Sequence, residues 1–415
     1  MALCDSPLER GGGVCSSSSD EHTPANAQTR RTPSQEGNLE SDRKPMTSAI
    51  TEKPKRLLSL DVFRGITIAM MILVNDPGDW GHIYAPLEHS KWNGCTPTDL
   101  VFPFFLFMVG VSVIYAMESK KATVSHSKLI LKALRRTVIL LLIPWITQLI
   151  FRPDTGLAHL RLPGVLPRIA LVYFISTVLY LKTSQKTRDW IFAIALIGYF
   201  IIMTFIPVPG VGYANLEPET NMGAWIDRLV FTPDHLWRES HTWDPEGLLG
   251  TIPAVATALF GIRVGSWLKR RDRDDNIKTN WMFVYGIIAV MAGLFWDLFF
   301  PINKALWTSS FVLYTGGLAT IGLALCYWLI DIQGYKRFTY PFVVFGANAI
   351  TAYVLSGFIP HYMGMIKING SSIYQTFFAP YFSPVNASLI SAIFTVLILW
   401  VVMWVLYIKK IFIKI

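Results

Sequence analysis

The side chains best suited to proton transfer lie just ahead of a long apolar segment, in the stretch "HSKWNGCTPTD" from His89 to Asp99. An imidazole exchanges protons near neutral pH, and a carboxylate close to it can hold the ring in one orientation. We therefore predict that His89 moves a proton and that Asp99 orients it, with Trp92 and Asn93 beside a bound substrate. The alternative is that His89 is an ordinary loop histidine, and His82 is a competing candidate.

Three further segments place polar or tryptophan side chains next to apolar stretches: "WDPEGLLGTIP", "INKALWTSS" and "FGANAITAY". We expect these corners to form one vestibule with the histidine loop, where they bind the hydroxyl or amine groups of a substrate. Two alternatives stay open: the acids only complement a helix dipole, and the asparagine of the third segment only joins helices. The candidate substrate-binding residues are Asp244, Glu246, Asn303, Lys304, Trp307 and Asn348.

The elements that must position these residues cross a membrane, as the composition indicates. Apolar residues make up 52% and charged residues 16% of the 415 residues, whereas soluble domains carry about 25% charge. A membrane span needs about 20 mainly apolar residues. The pattern therefore predicts an all-α polytopic membrane fold with about ten transmembrane helices. The predicted spans are residues 57–75, 97–117, 133–151, 163–181, 189–208, 247–267, 281–300, 307–330, 340–360 and 386–408.

Basic residues are concentrated in every second connection between these spans. One set of connections, together with the chain ends, holds clusters such as Lys120–Lys121, Arg135–Arg136 and Arg270–Arg271, whereas the other set holds only scattered lysines and arginines. Because cytoplasmic loops are enriched in Lys and Arg, we predict that both termini are cytoplasmic. The loop that carries His89 then faces the opposite side of the membrane.

The first 55 residues differ from the rest of the chain. They contain no Phe, Trp or Tyr and are rich in Ser, Thr, Pro and charged residues. Such a segment cannot bury enough apolar surface to offset the conformational entropy that ordering costs. We therefore predict a disordered cytoplasmic tail at residues 1–55 and a transmembrane domain at residues 56–415. The tail has no apolar core of the kind that an export signal needs.

The sequence gives no support to several classes of function. The four cysteines have no metal-ligand spacing, so we expect no metal site. Neither a phosphate-binding loop nor a dinucleotide fingerprint occurs. No aromatic stacking platform or basic helix indicates a nucleic-acid partner.

A pair of opposite charges marks the predicted cytoplasmic end of the first span, in "SLDVFRG". Asp61 and Arg64 are three residues apart and so share one helix face. Ionisable groups at membrane depth are costly and are candidates for function. We expect this pair to provide a contact for an anionic ligand that enters from the cytosol. The alternative is a structural ion pair.

Taken together, these features resemble the heparan-α-glucosaminide N-acetyltransferase family and its bacterial relatives. The segments that carry the resemblance are "RLLSLDVFRGITIAMMILVN", "HSKWNGCTPTDLVFPFFLFMVGVS", "WDPEGLLGTIPAVATALFGIRVG", "INKALWTSSFVLYTGGLA" and "PFVVFGANAITAYV". The resemblance implies an acetyltransferase of the lipid bilayer that takes its acetyl group from cytosolic acetyl-CoA, a co-substrate, and delivers it to an amino sugar across the membrane. The CoA head is expected near Arg64, Arg135 and Arg136.

The resemblance also implies roles for individual residues. His89 matches the active-site histidine of the family's "H-x-x-W-N-G" segment, and Asn75, which ends the first core helix, matches its active-site asparagine. On this basis His89 is expected to be the general base, and Asn75 is expected to donate a hydrogen bond to the developing oxyanion. Asp99 would fix the imidazole tautomer.

The chain departs from the family in two places. The connection between Asn75 and His89, "DPGDWGHIYAPLE", differs in length and sequence from that of the lysosomal enzyme, and the large lumenal domain is absent. These departures leave the acceptor sugar open, and they predict a bacterial inner-membrane protein. A transporter of amino sugars or cell-wall sugars is the alternative function. Whether the chain forms a homodimer is left open.

Overall fold

The structure, a computed structural model, describes residues 57–151 and 156–413. The predicted tail at residues 1–55 lies outside the described residues. The helices are α1 (Leu58–Asn75), α2 (Val101–Lys121), α3 (His126–Phe151), α4 (Val165–Lys182), α5 (Gln185–Phe205), α6 (Met222–Phe231), α7 (Thr251–Leu268), α8 (Asp275–Asp297), α9 (Ser309–Cys326), α10 (Tyr340–Ala347), α11 (Ala349–Met365), α12 (Ile373–Phe377) and α13 (Pro384–Ile408).

Shorter elements complete the described chain. Single 3₁₀ turns occur at Ala85–Leu87, Pro97–Leu100 and Pro233–His235, and a π-helix, Tyr327–Ile332, extends α9. The two-residue strands β1 (Lys367–Ile368) and β2 (Ser371–Ser372) form an antiparallel hairpin.

The long helices coincide with the predicted membrane spans. Within the described residues, eight helices are long and apolar enough to cross a membrane, and the pair of α10 and α11 would make a ninth. In addition, the 26-residue α3 overlaps the predicted span 133–151. The prediction of an all-α polytopic membrane fold is therefore confirmed. That both termini are cytoplasmic stays a prediction.

The ninth predicted span is not one straight helix. The sequence predicts a continuous span over residues 340–360, but α10 and α11 meet at an angle of 87°. The break lies at Asn348, which has φ −128° and ψ 44°. Its side chain donates to the carbonyl of Ile411 at 3.0 Å and accepts from the amide of Ile413 at 3.0 Å. At the bend, Asn348 thus hydrogen-bonds the backbone of the chain's C-terminal segment. A hydropathy pattern does not reveal this contact.

The crossing of α2 and α7 depends on two glycines. A Cβ atom at Gly110 of α2 would lie 2.0 Å from the carbonyl oxygen of Ala258, and a Cβ atom at Gly261 of α7 would lie 2.0 Å from that of Phe107. Small residues allow helices in a membrane to pack backbone against backbone in this way. α2 begins directly after the 3₁₀ turn that contains Asp99, and α7 begins shortly after Glu246, so this crossing holds two of the predicted site segments together.

We expect Gly110→Ala to destabilise the protein by about 1–3 kcal/mol, because the new methyl group must push two backbones apart. The measurement is the thermal unfolding midpoint of the purified protein in detergent. Gly198→Ala is the matched control, because Gly198 lies within α5 and has no neighbour within 4 Å of its added Cβ. That control should be neutral or slightly stabilising. Equal midpoints for the two variants would contradict the tight crossing.

Candidate active site

The loop that carries His89 is organised by the carboxylate of Asp99. This side chain is 1% exposed. It accepts hydrogen bonds from the amides of Ser90 and Thr96, both at 3.0 Å, and from the Thr96 hydroxyl at 3.1 Å. Its other oxygen lies 2.7 Å from Nδ1 of His89. Since a carboxylate only accepts hydrogen bonds, Nδ1 is the protonated nitrogen of the neutral ring. The expected pairing of His89 with Asp99 is present, and Nε2 keeps its lone pair.

A distant segment brings a lysine to the same ring. Nζ of Lys304 lies 3.0 Å from Nδ1 and 3.3 Å from Nε2 of His89, and 3.5 Å from the Asp99 carboxylate. Burial lowers the pKa of the Lys304 ammonium, and the charge of Asp99 opposes that shift. Lys304, predicted from sequence as a substrate ligand, therefore stands beside the His89–Asp99 pair.

Two asparagines join the loops that carry these residues. Nδ2 of Asn303 donates to Oδ1 of Asn93 at 3.1 Å. Next to this bond, the amide of Gly94 donates to the carbonyl of Ile302 at 2.7 Å, as part of a short parallel bridge between the two loops. Asn303 is fully buried, and neither asparagine lines the cavity described next. The two residues therefore join the two loops of the site, and their role in substrate binding stays a prediction.

His89 opens into a cavity of about 450 Å³. We call it the histidine cavity. Asn75 at the end of α1 also lines it, as do Trp92, Glu246 and Lys304. The predicted catalytic residues and three of the predicted substrate-binding residues therefore share one concave site. A site of this kind, with apolar walls and a few convergent polar groups, is typical of small-molecule binding.

An arginine that the sequence analysis does not single out occupies one wall of the histidine cavity. Arg161 makes a two-pronged contact with Asp244 at 2.6 and 2.8 Å and reaches Glu246 at 2.7 Å. Burial alone would lower the pKa of Arg161, but the bond to Asp244 and the charge of Glu246 raise it. Asp244 is buried and held by Arg161, whereas Glu246 lines the cavity. Nothing in the spacing of these residues indicates that Arg161 meets both acids.

Tryptophans form another wall of the histidine cavity. The rings of Trp92 and Trp243 are 5.0 Å apart, and those of Trp243 and Trp237 are 5.3 Å apart. All three line the cavity. Trp307, by contrast, is fully buried, lies with its ring 5.3 Å from the guanidinium of Arg168, and lines neither of the cavities described here. Its ring is part of the core, away from both cavities, and its contact with a substrate stays a prediction.

A second cavity, of about 610 Å³, lies at the other end of α1 and α2. We call it the basic cavity. Its charged lining residues are all cationic: Arg64, Lys120, Lys132, Arg135 and Arg136. Asp61 lies 3.6 Å from Arg64 and is not among the lining residues. The three arginines that were predicted to bind an anion are therefore together, with two lysines that were not predicted.

Asn348 lies at the basic cavity, together with Ile413 of the C-terminal segment. The sequence analysis expects Asn348 in the substrate vestibule near His89, whereas the structure has it at the other end of the helix bundle. The difference arises because α10 and α11 are bent at this residue. Its amide group is engaged with the backbone of residues 411 and 413.

The two cavities are separated by apolar side chains. Phe105 of α2, Ile169 of α4 and Ile350 of α11 line both of them. A polar ligand in one cavity is thus a single layer of side chains away from a ligand in the other.

Neither a metal site nor a reactive thiol is apparent near His89. In residues 57–151 and 156–413, no group of three His, Cys, Asp or Glu side chains is placed to hold a metal ion. Burial raises the pKa of the Cys95 thiol to about 12. Since the thiolate is the nucleophilic form of cysteine, Cys95 is a poor nucleophile.

Comparison with known proteins relates most of the chain to named enzymes. A family model described as a domain of unknown function, DUF5009, matches residues 56–208. The heparan-α-glucosaminide N-acetyltransferase of Homo sapiens is 33% identical over an alignment 376 positions long; the match takes in 78% of this chain and 56% of that protein. The protein of the same name from Mus musculus is 31% identical over the same shares. The chain thus spans about half the length of the curated relatives it matches.

A buried carboxylate lies beside the histidine cavity. Its burial can be tested through the dependence of protein stability on pH. Asp76 follows Asn75, and within the described chain one of its oxygens has no hydrogen-bond partner. Burial raises the pKa of Asp76 to about 7. The unfolded chain ionises this group near pH 4, so the free energy of unfolding falls as the pH rises from about 4 to about 7.

We therefore expect Asp76→Asn to raise the unfolding midpoint at pH 8, with a gain that disappears towards pH 4. Thermal unfolding across this pH range measures it. Asp79→Asn is the control, because the hydrogen bond from His82 lowers the pKa of Asp79, and its loss should not stabilise the protein at pH 8. If the difference in unfolding midpoint between Asp76→Asn and the unaltered protein is the same at every pH, the burial of this charge is refuted.

Proposed function

The chain is a relative of the heparan-α-glucosaminide N-acetyltransferases, and from this premise we propose that it is an integral-membrane acetyltransferase. It moves the acetyl group of cytosolic acetyl-CoA to an amino sugar on the opposite side of the membrane. The observation that carries the proposal is the pair of cavities. One is lined by cations and the other by the His89–Asp99 pair, and they meet at the same three apolar side chains.

The basic cavity suits the donor. CoA carries several negative charges, and such a head group cannot enter hydrocarbon. Arginine and lysine side chains bind phosphates through charge-assisted hydrogen bonds, and five of them line this cavity. We place the CoA head there, on the cytoplasmic side that the basic connections predict. The pantetheine arm then extends towards Phe105.

The histidine cavity suits the acceptor. Tryptophan rings and the carboxylate of Glu246 offer a stacking surface and a hydrogen-bond acceptor for sugar hydroxyls. Arg161 holds Glu246 in place from one side.

The transfer itself needs one base and one oxyanion donor. Nε2 of His89 takes a proton from the sugar ammonium, and the free amine attacks the thioester carbonyl. Asn75 donates to the oxyanion as the N–C bond forms. The C–S bond then breaks, and the imidazolium gives its proton to the CoA thiolate. The neutral ring so regenerated takes the second proton from the new amide nitrogen and releases it to water. Lys304 is placed to donate to an oxygen bound beside the ring.

An acetyl-histidine intermediate is the variant of this mechanism. It requires the acetyl group to move to Nε2 of His89 before the acceptor binds. Label would then exchange between acetyl-CoA and CoA without acceptor, whereas direct transfer allows no such exchange.

Location and assembly stay predictions in part. The long apolar helices make the chain an integral membrane protein. A bacterial inner membrane and a homodimer are further proposals that the sequence raises.

We expect His89→Ala to abolish acetyl transfer, because it removes the base. The assay uses the purified protein with radiolabelled acetyl-CoA and glucosamine, and it measures the formation of N-acetylglucosamine. His82→Ala is the matched control: His82 makes the same 2.7 Å contact with an aspartate, Asp79, but lies outside the histidine cavity. It should keep full activity.

A fully active His89→Ala protein would remove the basis of the proposed mechanism. Uptake of glucosamine into liposomes without acetylation would instead support the transporter of amino sugars or cell-wall sugars.

For the donor side, we expect Arg135→Gln to raise the KM for acetyl-CoA by about fivefold, because an exposed ionic contact is worth up to about 1 kcal/mol. The kcat should stay the same, and the effect should shrink at high salt. Steady-state kinetics with varied acetyl-CoA measures both. Lys128→Gln is the control, since Lys128 is exposed on the same helix and does not line the basic cavity. A KM equal to that of the control would speak against donor binding at this site.

A further inference from the structure

The apolar side chains between the two cavities lie where two core clusters meet. Phe105 packs against two separate core clusters, one built mainly from α2, α3, α4, α7 and α9 and the other from α1, α10, α11 and α13. It is half-buried, as is Ile350, whereas Ile169 is buried. The layer is therefore held by side chains on three helices, and no charged group belongs to it.

A reaction between ligands in these cavities creates a conflict. The thioester must pass from the basic cavity to His89, which requires a path through the bundle. A path filled with water would also conduct protons and ions down the membrane potential. Apolar constrictions resolve this conflict in channels, because a narrow apolar neck loses its water and stops conduction.

We propose that Phe105, Ile169 and Ile350 form an apolar passage that admits the acyl end of the donor and excludes water and ions. The proposal rests on the proposed function, because it assigns these side chains to the path of the donor. Phe105 is the moving part, since it is half-buried and sits where two clusters meet. When the donor is absent, the layer closes and seals the membrane.

The passage has a second consequence for chemistry. A thioester that is enclosed by apolar side chains is protected from attack by water until it reaches the acceptor. The layer thus positions the donor and keeps it from being hydrolysed. Its residues act through exclusion and do not themselves exchange protons.

The first test is a leak of protons through liposomes that contain the protein. A pH-sensitive dye inside the vesicles reports proton flux under an imposed membrane potential, with no donor present. Phe105→Ala should leak several-fold faster than the unaltered protein. Phe104→Ala is the matched control, since Phe104 is the neighbouring half-buried phenylalanine of α2 and lines neither cavity. Its proton leak should equal that of the unaltered protein.

The second test narrows the passage. Ile350→Phe should retain acetyl-CoA binding, measured by calorimetry, and should lose acetyl transfer by about 100-fold, because a displacement of about 1 Å of the reacting group costs that much. The proposed passage would be refuted if protons leak no faster through Phe105→Ala than through Phe104→Ala. Normal acetyl transfer by Ile350→Phe would refute it as well. If the unaltered protein transfers no acetyl group at all, the proposed function fails, and the leak measurement still decides whether the layer is a seal.

Discussion

The site at the start of α2 depends on one buried carboxylate. Removing a charge from water is costly unless hydrogen bonds compensate it, and Asp99 meets this requirement with the amides of Ser90 and Thr96 and with the ring of His89. A conformation of residues 89–96 that broke these contacts would leave the carboxylate short of donors. The same bonds that stabilise the charge therefore fix where the imidazole stands and which nitrogen is free. The buried ammonium of Lys304 adds a second constraint, because it must also remain near Asp99.

The helices below this loop make the arrangement rigid. α2 and α7 touch backbone to backbone at Gly110 and Gly261. The loop before α2 and the acids before α7 are therefore held in a fixed relative position. Arg161 connects the loop before α4 to the same acids through its bonds to Asp244 and Glu246. A site built on the ends of tightly packed helices keeps its geometry better than one built on free loops.

The distribution of charge along the bundle follows from the same physics. Ionisable side chains are concentrated near the two ends of α1 and α2, in the basic cavity and in the histidine cavity, while the layer between them consists of Phe105, Ile169 and Ile350. A membrane protein that lets two polar ligands meet must keep water out of the middle and still bring the ligands close. A thin apolar layer is the simplest structure that satisfies both requirements.

The membrane class, the approximate limits of the helices, the similarity to the acetyltransferases and the short-range pairing of His89 with Asp99 could all be predicted from the amino-acid sequence. These depend on composition, on runs of apolar residues and on groups ten positions apart. Other features became visible only in the folded chain. Lys304 contacts the ring of His89 from 215 positions away, and Arg161 holds Asp244 and Glu246. Trp307 is in the core, and Asn348 lies at the basic cavity. The reason is that hydropathy tells which segments leave water, but not which faces of those segments meet. That is settled by the packing of all the helices at once.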